Sequence, residues 1–78
     1  MRDERVYTVI LEPQPEGGFT AHVPALPEVV TEGDTEEEAL AMVRDAIGLV
    51  LAHRKENGLP VPSDAEPAVR KVTVTAET

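Results

Sequence analysis

The stretch TEEEALAMVRDAIGLVLAHRKEN, from Thr35 to Asn57, limits the fold of this chain more than any other segment. Thr35 and Glu38 form a T-x-x-E capping box, in which each side chain satisfies an orphan backbone N–H at the other end of the first turn. Glu36 and Glu37 fall where the helix macrodipole is positive, each favourable by about 0.3–1 kcal/mol. Asn57-Gly58 closes the helix with a pair that tolerates the left-handed conformation. At about 100° per residue, Ala39, Leu40, Val43, Ile47, Val50 and Leu51 form one apolar stripe, flanked by Met42, Ala46, Leu49 and His53. Together they cover about 200° of the helix, twice the width of an ordinary one-sided surface helix. A lone sheet of three or four strands cannot cover so wide an arc. A second subunit or a partner is expected on the flank, with Met42, Leu49 and His53 as interface candidates.

The remaining segments read as strands. RVYTVILE (Arg5–Glu12) is rich in β-branched residues and alternates, with Tyr7, Val9 and Leu11 on one face and Val6, Thr8 and Ile10 on the other. PQPEGG (Pro13–Gly18) is a turn whose glycines supply positive φ. FTAHV (Phe19–Val23) completes a hairpin with a core face of Tyr7, Val9, Leu11, Phe19, Ala21 and Val23. Pro24 and Pro27 remove ladder donors and force a bend. EVVT (Glu28–Thr31) is then a short third strand. LPVPSDAEP (Leu59–Pro67) is a proline-broken linker, and AVRKVTVTA (Ala68–Ala76) reads as a final strand with Val72 and Val74 inward.

The expected fold class is α+β, a single domain over residues 1–78 in the order β-β-β-α-β. Strands are expected at about 5–12, 18–24, 28–31 and 68–76, with a helix at about 35–57. The sheet is mostly antiparallel, in the order 3-2-1-4, with the helix packed on one face. The last strand follows a helical crossover and so pairs parallel to the first, at an edge. The other face would present Val6, Thr8, Ile10, Thr20, His22, Thr73 and Thr75. Such a surface is half apolar and nearly uncharged, which suits a contact within a homodimer or homotetramer. Val6, Thr8, Ile10, Thr20 and His22 are the interface candidates there.

A chain of 78 residues leaves roughly 40% of its unfolded surface exposed after folding, so oligomerisation is a natural source of extra stability. Without cysteine it has neither disulfides nor the commonest structural zinc sites, and it is compatible with the cytoplasm. The opening MRDERVYTV lacks the apolar segment of a signal peptide, and no apolar run approaches a membrane span. The net charge of −8 argues against direct binding of DNA or RNA. Between Val6 and Val43 there are eight acids and no lysine or arginine; elsewhere seven acids face seven bases. The whole net charge therefore resides in one half of the chain. That half either solubilises the protein or steers a basic protein partner towards it. Glu12, Glu16, Glu28 and Glu32 are the acids that helix capping leaves unexplained, and they are the partner-binding candidates.

Catalysis finds no support in the residues. Ser63, the lone serine, lies in the proline linker without a base nearby in sequence. His22 on a strand and His53 on a helix read as interface or surface residues. Metal-dependent nuclease chemistry needs carboxylates converging on divalent ions, and the strand interiors contain none. Asp34, Glu36, Glu37 and Glu38 splay around the helix start. Gly17-Gly18 is a weak hint of a phosphate loop, and neighbouring Glu16 would repel an anion. No enzyme activity, metal or cofactor is expected.

From Tyr7 to Pro62 the chain resembles the HicB family of antitoxins. The resemblance is carried by the aromatic-led first strand, the glycine-bearing hairpin before Phe19, and VPALP at Val23–Pro27. It continues through TEGDT at Thr31–Thr35, the EEAL helix opening, and GLPVP after the helix. The sequence departs from the family at Leu26–Val29, where a glycine often follows the proline, which leaves the turn there open. The resemblance implies a domain like a trimmed ribonuclease H fold that has lost catalysis. It implies an antitoxin of a type II toxin–antitoxin system, masking a small basic HicA-type ribonuclease toxin that cleaves mRNA. Many members also carry a C-terminal DNA-binding domain, for which this sequence has no matching segment, so direct DNA binding is not expected. The alternative is an orphan HicB-like homo-oligomeric scaffold with no toxin.

Overall fold

The computed structural model describes residues 4–77 and places three strands before one helix: β1 (Ile10–Pro13), β2 (Phe19–Val23), β3 (Leu26–Gly33) and α1 (Glu36–Glu56). The expected single domain over residues 1–78 therefore extends slightly outside the described residues at both ends. The sheet is antiparallel throughout, in the order β1-β2-β3. This α+β arrangement is the one anticipated for the first four elements.

The helix ends follow from local chemistry. Thr35 is extended (φ −129°, ψ 164°), and its Oγ1 accepts the Glu38 N–H at 3.1 Å. At the other end Gly58 takes φ +65°, its N–H donates to Lys55 O, and the Leu59 N–H donates to Arg54 O at 2.8 Å. These paired bonds satisfy carbonyls that the helix would otherwise leave open, the arrangement known as a Schellman motif. Thr35→Ala is expected to lower unfolding stability by about 0.5–2 kcal/mol. Urea denaturation followed by circular dichroism measures it; an unchanged midpoint would refute the cap.

The core is small and sits between the sheet and α1. Ala21, Val23, Leu26, Val29, Ala39 and Val43 are buried. Packed against them are Tyr7, Val9, Leu11 and Phe19 from the hairpin side and Leu40, Ala46, Ile47, Val50 and Leu51 from the helix. The anticipated hairpin face and the main helix stripe thus meet. The helix flank divides: Ala46 turns into the core, whereas Met42 (49% exposed) and Leu49 (74%) do not.

Three boundaries differ from expectation. The first strand begins at Ile10 rather than near Arg5. Ile10 pairs with His22, so Thr8 falls level with Pro24, which lies in the turn and has no N–H to offer. The Thr8 amide bonds instead to Asp64 Oδ1 at 2.7 Å. The third strand runs from Leu26 rather than from Glu28. The chain reverses within Pro24-Ala25, and the ladder passes from Val23↔Leu26 to His22↔Val30, leaving Pro27, Glu28 and Val29 as a bulge. An edge strand tolerates proline at such a position.

The fourth strand does not form. Ala68–Ala76 has no strand assignment, and Val72 and Val74, expected inward, are each 80% exposed. The cause lies in where the linker docks. Tyr7 Oη donates to Pro62 O at 2.6 Å, and both the amide and the hydroxyl of Thr8 donate to the Asp64 carboxylate. The linker therefore runs alongside the first segment in the same direction, offset by 55–56 residues. At that offset Ala68–Ala76 would lie opposite Glu12–Thr20, although β1 has already ended at Pro13. The tail overshoots its own sheet. The molecule accordingly measures 57 × 25 × 19 Å, with a radius of gyration of 15.6 Å. A compact chain of this length would have about 11–12 Å.

Candidate partner-binding surface

The face of the sheet turned away from α1 is organised in rows by the strand register. Ile10, His22 and Val30 are aligned across the three strands, and Glu12, Thr20 and Glu32 form the adjacent row. The first row is apolar at both ends, and Val30 is 60% exposed. The second carries a carboxylate at both ends. His22 Nε2 reaches Glu12 Oε1 at 3.1 Å and ties the two rows together. Two residues assigned to separate groups in the sequence, a partner-facing acid and an interface histidine, are thus neighbours.

A second acidic group lies beyond the β2 end of this face. Glu16, Glu32, Asp34 and Glu38 line a cleft of about 390 Å³ together with Gln14, Gly17, Phe19 and Gly33. The hairpin turn carries Glu16 into it. Gly17 and Gly18 adopt φ +101° and +82°, and the Gly17 N–H donates to Gln14 O at 3.0 Å. That amide closes the turn and is not pointed at a phosphate. Glu32 belongs to both the row and the cleft, and so links the row that Glu12 shares to the cleft that Glu16 lines.

Glu28, the fourth candidate, is placed elsewhere and already has a partner. Its Oε2 accepts from Arg54 Nη2 at 2.7 Å, while Arg54 Nη1 donates to Pro60 O at 3.0 Å. The Arg54 hydrogen bond holds the Glu28 carboxyl below its ordinary pKa; the bonds from Thr8 do the same for Asp64. A carboxyl depressed in the folded state adds stability above its unfolded pKa and loses it as pH falls through the folded value. Glu28→Gln should therefore flatten the acid limb of the stability curve below about pH 5 and change little at neutral pH beyond the lost ion pair. Urea midpoints measured across that range test this; identical acid limbs would contradict it.

The remaining interface candidates are spread over two surfaces. Ile10, Thr20 and His22 share the outer face, Val6 is exposed ahead of β1, and Thr8 is engaged by Asp64. Met42, Leu49 and His53 lie on the helix, where the His53 ring and carbonyl both meet the Asn57 side-chain amide. Sequence reasoning overlooked Val30. The signal was available, since Val29 and Val30 are consecutive and a strand can turn only one of them inward. Among the described residues no three His, Asp or Glu gather closely enough to hold a metal ion, and no helix is long and apolar enough to cross a membrane.

No family model matches the chain. Individual relatives do. UPF0150 protein Ta0767 of Thermoplasma acidophilum is 36% identical over 58 residues, which cover 74% of this chain and 84% of the relative. The chain belongs to the UPF0150, HicB-like family. A second UPF0150 protein, ssr1765 of Synechocystis, is 38% identical over 74% of this chain and 73% of its own length. Antitoxin HicB 1 of Photorhabdus laumondii is 54% identical over 41 residues, 53% of this chain but 26% of the relative. Antitoxin HicB of Escherichia coli is 36% identical over 73% of this chain and 43% of the relative. The chain thus spans less than half the length of these HicB antitoxins, and about three quarters or more of the two UPF0150 proteins.

Proposed function

We propose that this HicB-like protein is the toxin-binding part of a type II antitoxin, which masks a small basic HicA-type ribonuclease and so keeps it from cleaving mRNA. The observation that carries this reading is the outer sheet face, where a row with a carboxylate at each end lies beside a row that ends in half-buried Ile10 and exposed Val30. An interface of this composition attracts a basic protein at long range through the carboxylates and holds it at short range through Ile10 and Val30. The antitoxin names of two relatives support the same direction. On this account Glu12, Glu16 and Glu32 face the toxin, whereas Glu28 orders the domain. The protein itself makes and breaks no bonds.

The test is co-expression with any small basic protein encoded next to it. Expected results are a stoichiometric complex that weakens as salt rises and protection of RNA from cleavage. Failure of both binding and protection would end this reading. Exposed Met42 and Leu49 favour a second one, a HicB-like homo-oligomer without a toxin. A stable oligomer with no basic neighbour encoded beside it would select that alternative.

A further inference from the structure

We propose that Ala68–Ala76 of one chain adds as an edge strand to β1 of a second copy, in a reciprocal exchange. This inference does not rest on toxin masking, although both draw on the charge of Glu12 and Glu16.

The segment has the composition of a strand and no strand to join. Val69, Val72, Thr73, Val74 and Thr75 are β-branched, and three of them are valines about four-fifths exposed. Exposed valines on an extended segment are costly in water, and strand pairing covers part of that surface. Pairing within one chain is blocked by geometry. The Tyr7–Pro62 and Thr8–Asp64 contacts hold the linker so that the tail passes beyond the end of β1. A second copy is free of that constraint, because the register is then set by the tail and not by the linker.

The acceptor edge is identifiable. β1 is an outer strand that pairs with β2 on one side. Its four residues contain no lysine or arginine, and its proline stands at the last position, so the rest of the edge lacks the usual devices that repel another strand. The other outer strand, β3, has a bulge and carries Pro27 in it. Charge selects the same occupant. The tail carries Arg70 and Lys71 with no acid before Glu77, whereas Glu12 lies on β1 and Glu16 in the turn after it. Exchange between two identical chains satisfies both edges by one two-fold axis and leaves no open end.

The experiment compares the full chain with Val72→Asp/Val74→Asp by sedimentation and by hydrogen exchange. Helical circular dichroism serves as the folding control, since neither valine contributes to the core. The wild type is expected to dimerise, with the amides of residues 69–75 protected only in the dimer. The variant should raise the dimer dissociation constant at least about tenfold. Three results would overturn the proposal: a monomer at all concentrations with an unprotected tail, a dimer indifferent to the two aspartates, or tail amides protected in the monomer. The second points to the helix flank, the third to a strand formed within one chain.

Discussion

Gly33→Val is expected to lower stability by roughly 3 kcal/mol, the upper part of the range for forcing atoms into a packed interior. Total stability in small domains is often about 5 kcal/mol, so about 2 kcal/mol would remain and the unfolded fraction would rise roughly a hundredfold, to a few per cent. A Cβ built on Gly33 lies 2.5 Å from Ala39 N, 2.9 Å from Ala39 Cα and 3.0 Å from Glu38 C. All three atoms are backbone of the first helical turn, so no side chain can rotate out of the way. β3 and α1 must separate instead, and with them Ala39, which is fully buried. Gly33→Ala should show the same effect in smaller measure. Urea titration of the two variants gives the series; a valine variant as stable as wild type would mean that the strand and the helix start are not in contact.

If the proposed masking holds, reversing charge at Glu12 and Glu32 together should slow association with a basic toxin about ten- to hundredfold at low salt. The difference should shrink as salt approaches molar concentrations, where the Debye length falls to about 3 Å. Both residues are exposed ends of one cross-strand row, so unfolding midpoints should hardly move. Stopped-flow mixing of the double Glu→Lys variant with the toxin recovered by co-expression reads the rate directly. Glu28→Lys provides the contrast. It places a cation against Arg54 and is expected to reduce stability while affecting association less. If Glu28→Lys slowed association more than the double variant did, the toxin-facing surface would have to be moved to the bulge.

Much of the fold was legible because it rests on local rules. Thr35, Glu38, Asn57 and Gly58 mark the helix ends through bonds within a few residues, and alternation in FTAHV fixes which side of β2 is buried. The core face of the hairpin follows from the same period. What escaped depended on register. Whether Arg5–Val9 joins the ladder is decided by Pro24 lying opposite Thr8, and the pairing that puts it there is not written in either segment alone. The last strand was misjudged for a related reason. AVRKVTVTA has the right residues, but the Asp64 carboxylate on Thr8 determines where the segment emerges. The candidate surface was half legible. The acids were visible as a charge imbalance, yet only pairing shows that Glu12 and Glu32 bracket Thr20 while Glu28 faces Arg54.

Arg54 reaches three parts of the molecule at once: it sits in the last turn of α1, touches Glu28 on β3, and holds the Pro60 carbonyl. One guanidinium thereby works as a rivet at the junction of helix, sheet and linker. Neutralising it would release the linker only around Pro60, because the bonds of Tyr7 to Pro62 and of Thr8 to Asp64 would still hold it further along. The orientation of the C-terminal segment, and the distance over which it can find another molecule, would then rest on the Tyr7 and Thr8 clasps alone.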